Sequence, residues 1–538
     1  MKADSFSVAT RTGNVARLYD ETAEHHAGKL ALETDGERYT HVELRDRSAR
    51  FAGGLRARGF RPGDRIALFL PNCPEFVVAA LGALKAGTPF VPMNPQYRTR
   101  EVAYRLEDSD AKAVVVDESL RETAFDAIRQ VDTDPLVVGR QAGDGREDDK
   151  VGREDDETGG ENDEVESEEV PFEAVDDDPF VADRTSDDVA MQPYTSGTTG
   201  RPKGVLLTHR NLRAQSFMGF ERTVLDADEE RFLSVLPLSH IAGFINRTWQ
   251  PLVRGASVFL RDSESWDPED AMATIEDERI TKFGAVAAMY VDIVEHESFG
   301  EYDLSSLKES MEGGATMPTP VQQTFEDGVG VELFEAYGLT ETGGGTHAGI
   351  NATFGPRSGT IGQPFRATDC LVVDEEGEEV SPGEAGELLV RGPHVMAGYH
   401  ERPKATEEAF TDGGYFKTGD IVRRDEDNYY EVLGRKSDRI VTAGYNVYPQ
   451  EVEEVLYDHP DVSEAAVVGK PDERRGETIV AYVVPTTGVT PDANRLREHC
   501  LKTMAAYKHP REIEFVGTLP RTTSGKVQRF ELGGQADD

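Results

Sequence analysis

The twelve residues from Tyr194 to Val205 combine the side chains and the backbone freedom needed to hold a polyphosphate. They read Tyr-Thr-Ser-Gly-Thr-Thr-Gly-Arg-Pro-Lys-Gly-Val. Glycines allow φ > 0 and let amide groups approach a ligand closely, hydroxyls add hydrogen-bond donors, and Lys203 adds a positive charge. The spacing is not that of a Walker A loop. We therefore predict a phosphate-binding loop, with a flexible surface turn as the alternative.

Two later motifs carry the other groups that a nucleotide site needs. Glu335-Ala-Tyr-Gly-Leu-Thr-Glu341 offers a flat ring at Tyr337, a hydroxyl at Thr340 and a hard oxygen ligand at Glu341. Tyr415-Phe-Lys-Thr-Gly-Asp420 ends in a carboxylate that can accept hydrogen bonds from two ribose hydroxyls. Alone, each residue is more often a core aromatic or a solvated charge. Their occurrence together favours a binding site.

In their order and spacing these segments resemble the adenylate-forming superfamily, which includes acyl-CoA synthetases, peptide-synthetase adenylation domains and beetle luciferases. Matching segments run from about Tyr39 to Arg529, nearly the whole chain. The resemblance implies an AMP-forming acyl-CoA synthetase that uses ATP, Mg²⁺ and coenzyme A. A carboxylate would attack the α-phosphate of ATP to give an acyl adenylate and pyrophosphate, and the CoA thiol would then displace AMP.

The resemblance also assigns roles to individual residues. The β- and γ-phosphates would lie against Thr195, Ser196, Gly197, Thr198, Thr199, Gly200 and Lys203. The adenine would lie against Gly313, Gly314, Ala315, Tyr337 and Gly338. Thr340 would bind phosphate, Glu341 would hold the magnesium ion, and Asp420 and Arg435 would contact the ribose or a phosphate. Lys526, in Pro520-Arg-Thr-Thr-Ser-Gly-Lys526, would contact the α-phosphate and the attacking carboxylate.

A second half-reaction needs a different geometry, because CoA must reach the carbonyl after pyrophosphate leaves. In similar enzymes a small C-terminal domain rotates about a hinge, and the resemblance places Gly444 beside the pantetheine tunnel. The hinge position often carries Asp or Lys in the family, whereas this chain has Ser437 followed by Asp438. The pivot is therefore predicted at one of these two residues.

His240 lies where relatives place an aromatic gate beside the carboxylate of the acid, with a structural histidine as the alternative. No acidic residue occurs between Phe232 and Gln250, which counts against an amino acid substrate. A roomy apolar channel is expected from Gly343, Gly344, Gly345, Phe244, Ile245, Met289 and Tyr290. It favours a medium- or long-chain fatty acid. An aryl acid, a carrier-protein thiol as acceptor, and a catalytically inactive nucleotide-binding regulator remain alternatives.

The composition limits the partners of the chain. Its 538 residues carry 101 acidic and 58 basic side chains, a formal net charge of −43. Such a surface repels nucleic acid and anionic membranes, so we expect small-molecule partners: a carboxylic acid, ATP and CoA. The charge suggests a halophilic source, where salt screens self-repulsion. Three dispersed cysteines and the lack of a signal-peptide or membrane-spanning pattern suggest a cytoplasmic protein without stable membrane insertion.

Alternating strand and helix patterns predict a large α/β domain with parallel sheet layers and an added β region, over residues 1–433. Residues 434–538 have the mixed pattern of a small, mobile α+β domain, with the hinge near 434–438. The acidic stretch from about 143 to 188 has few large apolar residues, so we predict a solvated and partly disordered insertion there. A charged interaction segment is the alternative.

Overall fold

A computed structural model describes residues 12–34, 36–140, 169–195, 201–218, 229–314, 317–472, 474–486, 488–490, 492–521 and 527–532. The strands of these residues form sheets of nine, eight, four and five strands. The first three sheets lie before Lys436 and the fourth lies after it. The predicted fold class is confirmed: a large α/β domain with a β region precedes a smaller domain. No helix of the described ranges is long and apolar enough to cross a bilayer.

The secondary structure of the large domain alternates strands and helices. Its strands are β1 (Leu30–Thr34), β2 (Glu37–Thr40), β3 (Arg65–Phe69), β4 (Phe90–Met93), β5 (Ala111–Asp117), β6 (Leu136–Arg140), β7 (Glu169–Pro171), β8 (Val189–Met191), β9 (Val205–Thr208), β10 (Arg231–Ser234), β11 (Ser257–Leu260), β12 (Lys282–Ala285), β13 (Glu309–Gly313), β14 (Leu333–Leu339), β15 (Gly344–Ala348), β16 (Gln363–Pro364), β17 (Asp369–Val373), β18 (Ala385–Arg391), β19 (Gly398–Tyr399), β20 (Phe416–Arg424) and β21 (Tyr430–Arg435). Its helices are α1 (Ala16–His25), α2 (His41–Ala57), α3 (Pro74–Ala86), α4 (Thr99–Ser109), α5 (Arg121–Ile128), α6 (His209–Gln215), α7 (Gln250–Arg254), α8 (Pro268–Asp277), α9 (Ala287–Glu295), α10 (Thr319–Val329) and α11 (Pro403–Ala409), with a π-helix (Ala242–Trp249) before α7.

The eight-stranded sheet supports the phosphate-binding segment. Its order is β19-β9-β8-β4-β3-β5-β6-β7, and its pairs from β8 to β7 are parallel. The crossover helix α3 has Pro74 in its first turn, where the missing N–H costs nothing. It ends at Gly87, whose φ of 73° suits glycine. The antiparallel hairpin of β8 and β9 then carries the predicted loop between its strands.

The nine-stranded sheet brings the other nucleotide motifs to one edge. Its order is β16-β15-β14-β13-β12-β10-β11-β1-β2, with parallel pairing from β1 through β11, β10, β12 and β13 to β14. The carboxyl ends of parallel strands meet at the same sheet edge, where open α/β sheets bind their ligands. Gly313 therefore ends β13 beside Ala336 of β14, just before Tyr337.

The predicted β region is an antiparallel sheet in the order β17-β18-β20-β21. It places Asp420 of β20 directly opposite Arg435 of β21. Strand β21 continues to Arg435, two residues beyond the predicted domain boundary, and a 3₁₀ turn over Lys436–Asp438 follows.

The structure corrects the extent of the predicted acidic insertion. Residues 143–168 lie outside the described residues, but 169–188 pack against the large domain. Strand β7 pairs in parallel with β6, and Phe172 stacks on Phe51 with ring centroids 5.1 Å apart. The backbone of Val175 passes close to Gly54. A Cβ built on Gly54 would lie 2.5 Å from the carbonyl carbon of Val175. The prediction was too long because acidic residues surround these few apolar residues and dominate the local composition.

The small domain is built on a sheet in the order β23-β22-β25-β24, with β26 parallel to β25. Its strands are β22 (Ile440–Thr442), β23 (Tyr445–Val447), β24 (Val462–Asp472), β25 (Gly476–Pro485) and β26 (Glu512–Phe515), and its helices are α12 (Pro449–Tyr457), α13 (Ala493–Thr503) and α14 (Arg529–Leu532). Val452 of α12 and Leu496 and Cys500 of α13 are buried in one cluster with the sheet. This separate core makes the C-terminal region a compact unit.

Candidate functional site

The predicted phosphate loop is closed at its base by the hairpin of β8 and β9. The backbone N–H of Thr195 donates to the carbonyl of Lys203 at 3.0 Å, and the N–H of Lys203 donates to Oγ1 of Thr195 at 3.2 Å. Tyr194 bridges Gly204 just outside this pair. Thr195 and Lys203 thus frame a loop whose tip, Ser196, Gly197, Thr198, Thr199 and Gly200, lies outside the described residues.

Three contacts hold the base of the loop against helix α4. The Tyr194 hydroxyl donates to Asp108 at 2.9 Å, and the Tyr104 hydroxyl donates to the carbonyl of Pro202 at 2.7 Å. Arg402 forms a 2.5 Å ion pair with Asp108 from the other side. Burial and the charge of Asp108 raise the pKa of Tyr194 above its usual value, so this hydroxyl keeps its proton. The loop therefore starts from a fixed frame.

Tyr399 joins the loop to Glu341, although the sequence analysis did not identify it. Strand β19 pairs with β9, so that Tyr399 lies opposite Val205. The Lys203 ammonium sits 4.7 Å from the centre of the Tyr399 ring, and the Tyr399 hydroxyl donates to Oε1 of Glu341 at 2.9 Å. Glu341 itself lies in the 3₁₀ turn Thr340–Thr342 after β14, and Thr340 and Glu341 are both half-buried. Tyr399 therefore brings the Lys203 ammonium and the Glu341 carboxylate close together.

Asp420 is the centre of a second cluster. Nε of Arg435 lies 2.8 Å from Oδ1 of Asp420, and the Tyr337 hydroxyl donates to Oδ2. Arg435 also donates to the carbonyl of Thr418 at 3.1 Å. A carboxylate has about four lone-pair sites, so it can accept from several donors at once. The predicted ribose contact of Asp420 stays a prediction.

The two clusters lie within electrostatic reach of each other. Burial lowers the pKa of Arg435, but the charges of Asp420, Tyr337 and Glu341 together raise it above its usual value. Burial and the charge of Asp420 raise the pKa of Tyr337 as well. Lys203 and Arg435 thus supply the positive charge of a site that also holds two carboxylates. These two cations balance the charges of Glu341 and Asp420 within a chain of net charge −43.

The Tyr337 ring is supported from behind by His347 of β15. Their ring centroids are 5.9 Å apart, and His347 makes a second edge contact with Tyr430 at 4.7 Å. Burial, with a smaller contribution from His394, lowers the pKa of His347 to about 3. The neutral imidazole supports the Tyr337 ring without adding charge behind it.

Glycine is required where β14 passes β15. A Cβ at Gly338 would lie 2.1 Å from the carbonyl oxygen of Gly344, far inside van der Waals contact. Gly314 has a φ of 103° directly after β13, a conformation that L side chains avoid. Gly313 and Gly338 therefore let backbone line this edge of the site. Ala315 lies outside the described residues.

His240 lies two residues before the π-helix and is exposed. Its Nδ1 accepts a hydrogen bond from the N–H of Ala242 at 3.3 Å, and its carbonyl accepts one from the N–H of Phe244 at 3.0 Å. The ring is thus held near the helix start rather than packed in a core. Its predicted place beside the carboxylate stays a prediction.

The structure corrects the predicted acyl channel. Phe244 and Ile245 are fully buried in the main core, and Phe244 packs edge-on against Phe90 at 5.0 Å. Tyr290 is fully buried against Phe283 and Phe325. The space above Gly344 is occupied, because a Cβ there would lie 2.7 Å from Oδ1 of Asn246. Apolar residue type alone did not distinguish pocket lining from core.

The two remaining predicted residues, Lys526 and Gly444, belong to the small domain. Lys526 lies outside the described residues, but Arg521 and Val527 on either side of its loop form a bridge. Arg521 pairs with Glu464 at 2.9 Å, and its charge acts on Asp292 of α9 in the large domain. The base of the Lys526 loop therefore faces the large domain.

Gly444 lies at an exposed hairpin tip between β22 and β23. Ala443 has a φ of 52° and Gly444 a φ of 84°, as in the type I′ turns that suit two-residue hairpins. The structure does not bring Gly444 to Glu341 or Asp420. At the predicted hinge, Oγ of Ser437 donates to Asp438 at 2.8 Å. The pivot at Ser437 or Asp438 stays a prediction.

Comparison with known proteins agrees with this geometry. A model of the AMP-binding enzyme family matches residues 19–400, and one of the AMP-binding enzyme C-terminal domain matches residues 451–526. A feruloyl-CoA synthase of an Amycolatopsis species is 36% identical over 506 residues, 93% of this chain and 95% of that protein. A long-chain-fatty-acid–CoA ligase of Bacillus subtilis is 32% identical over 535 residues, 96% of this chain and 93% of the ligase. ATP-bound MatB from Rhodopseudomonas palustris has a TM-score of 0.85 at 29% identity, covering 96% of this chain and 98% of MatB.

Proposed function

Because the chain belongs to the AMP-binding enzyme family, and within it to the AMP-forming CoA ligases, we propose the following course for its reaction. A carboxylic acid attacks the α-phosphorus of ATP, pyrophosphate leaves, and the acyl adenylate passes its acyl group to the CoA thiol with release of AMP. The observation that carries this proposal is the convergence of Lys203, Tyr399 and Glu341 with Tyr337, Asp420 and Arg435.

The first half-reaction brings an anion against a tetra-anionic nucleotide, so its main requirement is charge neutralisation in a fixed geometry. Lys203 and the hydroxyls of its loop bind the β- and γ-phosphates. Tyr337 stacks on adenine, between the backbones of Gly313 and Gly338, and Asp420 and Arg435 hold the ribose. Lys526 approaches from the small domain and stabilises the charge that develops on the α-phosphate.

Magnesium fits the donor set at Glu341. No group of three or more His, Cys, Asp or Glu side chains among the described residues could form an all-protein metal cage. Mg²⁺ is instead commonly bound by one or two carboxylates together with substrate phosphates. One oxygen of Glu341 accepts from Tyr399, which orients the carboxylate. When bound, the ion would neutralise phosphate charge during departure of pyrophosphate.

The second half-reaction uses the other face of the small domain. Lys526 withdraws after pyrophosphate leaves, and the hairpin around Gly444 takes its place beside the entry path of CoA. The exposed position of this hairpin, with no atom of a non-adjacent described residue within 4 Å of a Cβ built at Gly444, leaves it free for this movement.

Two classes of acid are candidates. The sequence favours a medium- or long-chain fatty acid, and the Bacillus subtilis relative is named as a long-chain-fatty-acid–CoA ligase. An aryl acid is the second candidate, because the feruloyl-CoA synthase is slightly more similar to this chain. Two alternatives concern the acceptor and the activity. A carrier-protein thiol could take the place of CoA as the acceptor of the acyl group. A nucleotide-binding regulator without catalysis would form no thioester.

The proposal is tested by measuring AMP release and thioester formation in high salt, with acetate, medium-chain, long-chain and aryl acids. We expect acid-dependent AMP release matched by an equal amount of acyl-CoA. Thioester that forms only on a carrier protein would favour that acceptor. Pyrophosphate exchange without any acid-dependent signal would favour the regulator.

A further inference from the structure

The π-helix carries a buried cation that the nucleotide site does not use. Arg247 lies seven residues after the exposed His240, on the π-helix Ala242–Trp249, which ends at the fully buried Trp249. Only 9% of Arg247 is exposed. Burial lowers its pKa, while the charges of Tyr290 and Glu309 act in the opposite direction. π-helices are rare and occur frequently at functional sites.

Arg247 has no carboxylate of its own within the described part of the chain. Glu309, the acidic residue whose charge reaches it, already forms a 2.7 Å ion pair with Lys282. Glu230 pairs at 3.2 Å with both Lys282 and Arg254. A buried charge is costly unless it is paired. The guanidinium therefore remains available to a ligand.

The Arg247 guanidinium lies against a glycine in the sheet. A Cβ at Gly284 of β12 would lie 2.0 Å from Nη2, 2.1 Å from Cζ and 2.3 Å from Nε of Arg247. The guanidinium thus lies flat on the backbone of Gly284, and any larger residue would displace it. Gly284 of β12 thus leaves room for Arg247 of the π-helix, and this contact fixes the position of the guanidinium.

A second unpartnered polar group lies beside it. Strand β10 pairs with β12 so that Phe232 is opposite Lys282 and Leu233 opposite Phe283. Continuing this register places Ser234 beside Gly284, on the same sheet face. Ser234 is fully buried, and its Oγ has no hydrogen-bond partner among the described residues. An orphaned buried hydroxyl next to an arginine without a carboxylate marks a place for a polar ligand group.

The distance from His240 to Arg247 indicates which part of the acid Arg247 and Ser234 would contact. If the carboxylate lies at His240, an acid extending along the helix reaches Arg247 after at most about 10 Å, the length of seven residues at α-helical rise. That reach suits an aryl acid with a short spacer, whose ring substituents lie away from its carboxylate. A saturated alkyl chain would instead leave Arg247 and Ser234 desolvated and unbonded.

We propose, resting on the function proposed above, that Arg247 and Ser234 bind an oxygen acceptor at the distal end of the acid. They thereby select an aryl acid bearing ring oxygens over an unsubstituted aryl acid or a fatty acid. Arg247 donates hydrogen bonds to the ring oxygen, and Ser234 donates a further one. They are specificity-determining residues, remote from the reacting atoms.

The wild-type enzyme provides the first test. Ferulic acid and cinnamic acid share a carboxylate, a spacer and a ring, but only ferulic acid carries ring oxygens. We expect kcat/KM for ferulic acid to exceed that for cinnamic acid and for decanoic acid by about 10- to 100-fold, as for one or two hydrogen bonds to a charged group. Equal or reversed preference would overturn the proposal.

Substitutions assign the preference to Arg247. Arg247→Met keeps most of the side-chain volume, so we expect it to lower kcat/KM for ferulic acid about 10- to 100-fold, mainly through KM, and to leave cinnamic acid nearly unchanged. Arg247→Lys should restore part of the preference. Arg254→Met is the matched control, because Arg254 is also buried but pairs with Glu230. It should not change the ratio between the two acids.

ATP binding and product formation together separate a failure of folding, a failure of the proposed selectivity and a failure of the proposed function. ATP binding by each variant shows that it is folded, and Ser234→Ala replaces Arg247→Met as the test if the latter does not fold. Release of AMP at equal efficiency from both aryl acids, or equal loss with both acids in Arg247→Met, contradicts the proposed selectivity alone. Absence of AMP and thioester with every acid contradicts the proposed function, and the selectivity with it.

Discussion

Two carboxylates of the nucleotide site are oriented by neutral tyrosine hydroxyls. Tyr399 donates to Glu341 and Tyr337 donates to Asp420, and among the described residues only Asp420 has in addition a direct ion pair, with Arg435. A neutral donor fixes a carboxylate without cancelling its charge. The Tyr399 hydroxyl thus orients Glu341 for a cation, whereas Asp420 is held for hydrogen bonding.

The role of the Tyr399 hydroxyl is directly testable. In Tyr399→Phe the ring still faces the Lys203 ammonium, but Glu341 loses its donor. Because a hydrogen bond to a charged group is worth about 1.5–3 kcal/mol and Glu341 is only half-buried, we expect kcat/KM for ATP to fall about 5- to 10-fold. Steady-state kinetics with ATP as the varied substrate measure this effect.

Tyr415→Phe is the matched control for this experiment. Its hydroxyl also donates to a carboxylate, Asp369, at 2.7 Å, but on the surface of the antiparallel sheet. The control should behave like the wild type. An unchanged kcat/KM in Tyr399→Phe, or the same loss in both variants, would show that the bond to Glu341 does not support nucleotide binding.

At the scale of elements, local patterns predicted strands and helices well. Strand β11 and helix α3 are two examples. Both have strong local signals: a short apolar run, and Pro74 and Gly87 at the two ends of the helix. The sheet edge that collects Gly313 and Tyr337 follows from the parallel order of these elements.

The contacts that sequence did not predict are all tertiary. Tyr399 meets Glu341 across 58 residues of chain, and no spacing rule links them. Gly344 was expected to open a pocket, but its missing side chain makes room for Asn246. Phe172 becomes a core residue because Phe51 presents a ring to it, not because of its acidic neighbours. Residue type predicts what a side chain can do, whereas packing decides where it is used.

At the scale of the whole molecule, the net charge of −43 must be accommodated. The Debye length falls from about 10 Å at 0.1 M salt to about 3 Å at 1 M. We propose that the enzyme is halophilic, and we expect both its thermal midpoint and its rate of AMP release to be higher in molar salt than in 0.1 M salt. Full stability and activity at low salt would contradict this expectation.

The large domain supplies every described residue of the nucleotide site, and the small domain is proposed to supply Lys526. The Arg521–Val527 bridge and the charge interaction of Arg521 with Asp292 orient the base of the Lys526 loop toward the large domain. One charged donor aimed at developing negative charge is worth about 3–4 kcal/mol, or about 10²- to 10³-fold in rate. The two half-reactions should therefore depend on this residue differently.

The most direct measurement compares both half-reactions in the wild type and in Lys526→Ala. Acid-dependent exchange of pyrophosphate into ATP reports adenylate formation, and thioester formation from a preformed acyl adenylate and CoA reports the second step. We predict that Lys526→Ala loses about 10²- to 10³-fold in exchange and retains near wild-type transfer. Equal loss in both steps, or exchange that does not depend on the acid in the wild type, would contradict the account.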